Sequence, residues 1–224
     1  MRAWVQKLSA VQEAVVVTAI FVGWFIYSAM SMAFSGSFAA VAAEGDVMYD
    51  DATALSLVVF ECVTFAIGAL VLRWRGWKAA DFLFAITWRH LLVAAGLLVL
   101  SALTDLLLWR LVGNQLDDGS ILDNLVQPGG IAFGAALLMS AVNGTFEEFF
   151  LCRYLIERFK TSGAMFAVSL SAGVRMLYHV YQGPYGTLSI LAFGIIIGVY
   201  YWRTRALGAV VVTHVLADLL ALSQ

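Results

Sequence analysis

Long apolar runs, each closed by a small group of charged or glycine residues, follow one another along the whole chain. Residues 11–34, 52–73, 90–110, 131–158, 163–181, 186–202 and 206–223 form such runs. A helix of about 20 apolar residues crosses the hydrocarbon layer of a bilayer. In lipid a backbone must satisfy its own hydrogen bonds, which leaves the helix as the solution for runs of this kind. The pattern therefore predicts an all-α polytopic membrane helix bundle of about seven transmembrane helices. No hydrophilic stretch exceeds a loop and no internal repeat is visible, so residues 1–224 are expected to form a single integral membrane domain. The first run is too long for a signal-peptide core and reads as a retained helix. Asp81–Trp88, with Phe82, Phe84 and Trp88, suits a short helix at the headgroup boundary.

Charge placement adds an orientation. Arg2 and Lys7, then Arg73, Arg75, Lys78 and Arg89, then Arg153, Arg158 and Lys160, then Arg203 and Arg205 all fall at alternate connections. The intervening loops, 35–51 and 111–130, carry Glu44, Asp46, Asp50, Asp51, Asp117, Asp118 and Asp123 and no base. Basic loops stay in the cytoplasm, so the amino terminus is expected inside and the carboxyl terminus outside. The net charge of −2 argues against a nucleic-acid partner. Cys62 and Cys152 both lie in expected spans, and no disulfide framework is indicated.

Against 62% hydrophobic and 12% charged residues, a few ionisable groups stand where lipid is expected: Glu147, Glu148, Arg175, His179, His214 and Asp218. Such groups usually face one another or a cavity. Glu147 lies about 21 Å from the turn near Thr161, and His179 about 24 Å from the same turn, counted at the helical rise. Their helices are consecutive and antiparallel, so the two side chains can meet. His214 and Asp218 stand one turn apart on one helix face and reach about 14–20 Å from the turn near Arg205. Adjacent glutamates point about 100° apart, so one of them must face something polar. Each group taken alone has a bland reading, as a hydrogen bond between helices or, for His179, an interfacial side chain. Burying all of them without a use would be costly. Glu61 and Asp105 are isolated acids for which a structural or cavity-lining role is expected, and His90 is expected at the interface.

Three stretches carry a resemblance: "NGTFEEFFLCRYLIERF", "RMLYHVYQG" and "THVLAD". Together, in order and in lipid, they resemble the EExxxR, FxxxH and HxxxN/D motifs of the CAAX protease and bacteriocin-processing family, over about residues 131–223. That family includes type II prenyl endopeptidases and many bacterial relatives. The resemblance implies an intramembrane endopeptidase of the glutamic type that needs no metal or cofactor. It implies a peptide or membrane-protein substrate and residence in a bilayer, with a bacterial cytoplasmic membrane expected. Carried over by motif position, Glu147 and His179 would activate a water, His214 would stabilise the oxyanion, and Asp218, where Asn is common, would orient His214. Cys152 occupies the arginine position of the first motif and Arg153 follows it. Arg175 occupies the Phe position of the second. Glu148, Arg175 and Arg153 are accordingly supporting candidates, with Arg175 able to supply the missing cation. Two other classes remain open: a zinc metalloprotease using the same Glu, His and Asp groups, against which stands the absence of an HExxH helix, and a non-enzymatic immunity or scaffold protein held together by the polar cluster. The sequence does not give the oligomeric state.

Overall fold

The computed structural model describes residues 2–35, 50–116 and 131–222, and these are helical with no strand. Seven long helices appear among the described residues: α1 (Ala10–Ser35), α2 (Asp51–Trp74), α3 (Trp88–Leu108), α4 (Phe133–Glu148), α5 (Ala164–Leu177), α6 (Gly183–Thr204) and α7 (Leu207–Leu222). A short helix, Arg2–Val5, precedes them. Glu44, Asp46, Asp117, Asp118 and Asp123 of the expected acidic loops lie outside the described residues.

Local chemistry sets the ends. Ser9 Oγ accepts from Gln12 N–H at 3.2 Å while Gln12 Oε1 accepts from Ser9 N–H at 2.9 Å, a reciprocal cap that opens α1. Asp50 caps α2 by accepting from Thr53 N–H at 2.7 Å. His90, expected to be interfacial, accepts the Thr87 N–H at 3.3 Å and so helps start α3. α6 begins three residues before the expected position. Gly183 takes φ 74° there, and Pro184 sits in the first turn, where its missing N–H costs nothing.

Among the described residues four stretches are long and apolar enough to cross a membrane: α1, α2, α3 with its π-helical extension to Gly113, and Val180–Thr204. α5 and α7 are shorter, at 14 and 16 residues. α7 is buried continuously from Leu207 to His214 and packs along α3 and α4. A helix apolar all round is suited to such a central position, where other helices rather than lipid surround it. α4 continues without a break into a π-helical stretch, Phe149–Ile156, which is almost wholly buried.

The expected interfacial helix at Asp81–Trp88 is not formed. Ala79–Phe82 is a single 3-10 turn and α3 starts only at Trp88. Phe82 stacks on Phe149 with ring centroids 5.4 Å apart and meets Phe65 and Trp77 edge-on or tilted. Aromatic packing ties Phe82 to the protein interior, while Leu83, Ile86 and Trp88 of the same connection stay exposed.

The basic connections gather at one end of the bundle. Glu13, 3% exposed on α1, accepts from Arg75 Nε at 2.6 Å, lies 3.3 Å from Arg158, and accepts from Tyr154 O–H at 3.3 Å. Arg75 also donates to the carbonyls of Val5 and Gln6. Glu157 pairs with Lys160 and Arg205 nearby. Towards the other end Asp105 accepts from Tyr185 O–H at 2.9 Å and Ser189 O–H at 2.6 Å, which ties α3 to α6. Glu13→Ala would leave two guanidinium groups and a phenol without their shared acceptor. It is expected to cost about 2–3 kcal/mol, the worth of a hydrogen bond to a charged group or a little more. Thermal unfolding in detergent micelles reads this as a clear fall in Tm, while Glu157→Ala, at a more exposed pair, should change it by about 1 kcal/mol or less.

Candidate active site

The polar cluster is assembled by α4, α5 and α7 around one guanidinium. Close approach of α4 to α7 is required, and Gly144 permits it: a Cβ there would lie 2.9 Å from Val215 Cγ2 and 3.5 Å from His214 Cβ. With the helices this close, Glu147 and Glu148 at the end of α4 reach side chains on both neighbours. Glu147, Glu148, Arg175 and His214 are all buried, Glu148 completely.

Arg175 bridges the two carboxylates. One terminal nitrogen donates to Glu147 Oε2 at 3.1 Å and the other to Glu148 Oε1 at 2.5 Å. The fork geometry of a guanidinium suits such double recognition, which a lysine would make only as a point charge. Glu147 Oε2 also accepts from Tyr178 O–H at 2.6 Å. Glu148 Oε1 lies 2.6 Å from His214 Nδ1, and its Oε2 accepts from Cys152 S–H at 3.2 Å. His214 Nε2 stands 4.0 Å from Glu147 Oε2 and 3.4 Å from Asp218 Oδ1. Asn143 donates to Asp218 Oδ2 at 3.0 Å, fixing that carboxyl from α4. The Phe193 ring closes one side, 5.7 Å from the Arg175 guanidinium and edge-on to His214.

Carboxylates only accept, so His214 presents N–H from Nδ1 to Glu148. His179 is arranged differently. It follows α5, and its Nδ1 lies 3.0 Å from the Arg175 carbonyl, which only accepts, so Nδ1 carries the hydrogen. In the neutral ring Nε2 then holds a lone pair. The ring packs against Tyr178 and Tyr181. Glu147 is reached by Tyr178 O–H, and His179 stands behind that phenol, at the rim of the cluster.

Of the residues singled out by sequence, the structure brings Glu147, Glu148, Arg175, His214 and Asp218 together and places His179 at their edge. Arg153 lies elsewhere. Its Nε donates to the Asp81 carbonyl at 3.2 Å, and a terminal nitrogen is 3.9 Å from the Asp81 carboxylate. Along the π-helical stretch Cys152 stays beneath Glu148 while Arg153 turns outward. Tyr178, Asn143 and Phe193 were not signalled as functional. Asn143 and Tyr178 do lie inside the motif segments, four residues before Glu147 and one before His179, where a polar side chain one turn away or adjacent was the available cue.

The ligand atoms of Glu147, Glu148 and His214 lie within 4.8 Å of one another, close enough to hold a metal ion. The same carboxylate oxygens are engaged by the Arg175 guanidinium, whose charge would oppose a divalent ion at that point. Arg175→Ala would leave two buried carboxylates facing each other, and breaking a buried pair in this way is expected to cost about 3–5 kcal/mol. Arg153→Ala, at a part-exposed contact, should cost about 1 kcal/mol or less. Thermal unfolding of the two variants in the same detergent checks the ranking.

No curated protein and no solved structure matches the chain. The family model described as "Type II CAAX prenyl endopeptidase Rce1-like" matches residues 129–220, less than half of the chain. Those residues include α4, α5, α6 and α7 up to Leu220, and every member of the buried cluster. The part of the chain that builds this cluster is similar to the Rce1-like type II CAAX prenyl endopeptidase domain.

Proposed function

We propose that the protein is an intramembrane endopeptidase of the glutamic type, in which Glu147 activates water for attack on a peptide bond. The observation that carries this reading is the meeting of two carboxylates, one guanidinium and one imidazole from three helices inside an apolar bundle. Arg175 and Tyr178 fix the Glu147 carboxylate by two donated hydrogen bonds, so its position is set before substrate arrives. Preorganised charge of this kind is the usual source of the largest catalytic effect.

In the proposed reaction Glu147 takes a proton from water as the oxygen adds to the substrate carbonyl carbon. The lone pair on His179 Nε2 is directed by the Arg175 carbonyl contact and orients the same water. His214 is held by Glu148 at Nδ1; as the imidazolium, flanked by Glu148 and Asp218, it also carries a hydrogen on Nε2 that serves the oxyanion, with Asp218 and Asn143 limiting its rotation. As the carbon–nitrogen bond breaks, Glu147 returns its proton to the leaving amine. The products are a carboxylic acid and an amine, with one water consumed. The family's description names a CAAX prenyl endopeptidase; for this chain the broader class is proposed, a peptide or membrane-protein segment presented in the bilayer.

The positive-inside distribution favours placing the Glu13, Arg75, Arg158 end of the bundle in the cytoplasm of a bacterial cell. Cysteines at Gln182 and Lys160, in a background without Cys62 and Cys152, test this on intact cells. An impermeant thiol reagent is expected to label Gln182→Cys and to miss Lys160→Cys until the membrane is opened.

Membranes treated with wild-type protein should release a set of peptides that Glu147→Gln protein, folded and inserted, does not release. His214→Ala and His179→Ala are expected to lower release by about two orders of magnitude or more, as loss of an acid–base or oxyanion group does. Chelators are expected to leave the rate unchanged. A rate lost to chelation and restored by zinc would instead support a metal held by Glu147, Glu148 and His214. Equal release by wild type and Glu147→Gln would return the cluster to the role of interhelix glue.

A further inference from the structure

Two deeply buried polar atoms on the helices flanking the cluster have no hydrogen-bond partner among the described residues: Glu61 Oε2 on α2 and Ser140 Oγ on α4. Glu61 is 4% exposed and Ser140 is 0% exposed. Buried polar groups without partners are rare and costly, and an isolated carboxyl oxygen more so than a hydroxyl.

Helix register places both beside the cluster. α2 and α4 start together, because Ala132 N–H donates to Asp51 Oδ1 at 2.7 Å. Ala54, Ala136, Met139 and Leu222 share one small apolar core just inside that end. Counted at the helical rise from Asp51 and Ala132, Ser140 lies about 12 Å in, Glu61 about 15 Å, Asn143 about 16 Å and Glu147 about 22 Å. α7 arrives from the same end with Leu222 first, so Asp218 lies about 6 Å further in. Glu61 is therefore level with the hydrogen bond between Asn143 and Asp218, on the Asp51 side of Glu147. Its carboxyl interacts electrostatically with Glu147, Asp218 and His214.

Hydrolysis consumes one water for each bond broken, and that water must cross apolar packing to reach Glu147. A buried water needs two to four polar partners. Ser140, Glu61, Asn143 and Asp218 supply such partners at successive depths between the Asp51 end and the cluster. A purely structural Glu61 would have none of this use, and its open oxygen would be a burden on stability.

We propose that Glu61 and Ser140 hold water on its way from the Asp51 end of the bundle to Glu147, which makes Glu61 a positioning residue for the hydrolytic water. The ligand is water, and the inference rests on the hydrolytic reading above. Glu61→Met, Glu61→Gln and Ser140→Ala test it, with peptides released from cell membranes quantified by mass spectrometry and Tm measured in micelles. Glu61→Met is expected to keep or raise Tm, since it removes an unpartnered carboxyl, while release falls by about tenfold, the equivalent of one hydrogen bond to a charged group. Glu61→Gln keeps an acceptor oxygen and a water-binding group of the same size in place and is expected to stay within about threefold of wild type, and Ser140→Ala to fall by a similar small factor. A more stable but slower protein, rescued by the amide, is an outcome that a structural role would not give. Wild-type release from folded Glu61→Met overturns the inference, as does Glu61→Gln as slow as Glu61→Met. If Glu61→Met does not fold, wild-type release from Ser140→Ala together with slow Glu61→Gln overturns it. Equal release by wild type and Glu147→Gln overturns the hydrolytic reading itself, and this inference with it.

Discussion

Two neighbouring carboxylates buried in a membrane bundle require a cation, and Arg175 is that cation. Its two terminal nitrogens take Glu147 and Glu148 at once, so the residue joins α4 to α5 as well as balancing charge. The imidazole of His214 then brings in α7 through Glu148. Around this junction the remaining polar groups fall into place: Tyr178 on Glu147, Cys152 on Glu148, and Asn143 on Asp218. Every member satisfies another, which is the condition under which a polar network adds definition to a core.

The same junction explains why the motif helices are the short ones. α5 and α7 are 14 and 16 residues long, below the length that spans a bilayer unaided. α1, α2, α3 and α6 form the longer apolar exterior, with exposed Val15, Trp24, Val59, Leu92 and Leu103 on their outer faces. Helices whose partners are mostly protein can approach closely, and Gly144 against Val215 is where that approach is visible.

The seven apolar runs were legible because lipid imposes a simple rule on composition, and their ends agree with the helices to within a few residues. The convergence of Glu147 with His214 was legible from depth alone, since helical rise converts residue counts into height. Direction around the helix axis was less so. That Arg175 could stand in for the arginine missing from the first motif was legible, but the path of Arg153 was less so, since it follows π-helical turns at Phe149–Ile156 that an ideal period does not anticipate. His179 could be placed at the correct height, but its ring orientation follows from the carbonyl of Arg175, a backbone contact with no sequence signature. The connection at Asp81–Trp88 was read from its aromatic content as interfacial. Its helix did not form, and Phe82 found Phe149, a partner far along the chain that composition could not name. Glu13 offered no cue at all, because Arg75 and Arg158 reach it only through tertiary packing.

That last contact bears on where the unit of folding ends. Sequence similarity draws its boundary at residue 129, yet Arg158 and Tyr154 on one side of that line share a buried carboxylate with Arg75 on the other, supplied by the first long helix. Phe21 of α1 likewise stacks on Phe146 and Phe150. The region recognisable by ancestry is therefore not autonomous. The first three helices act as a built-in scaffold for it, gripping the motif-bearing helices at a few buried points and facing outward elsewhere. An excised segment beginning at residue 129 would present two orphaned cationic and phenolic groups and an open aromatic face to the membrane.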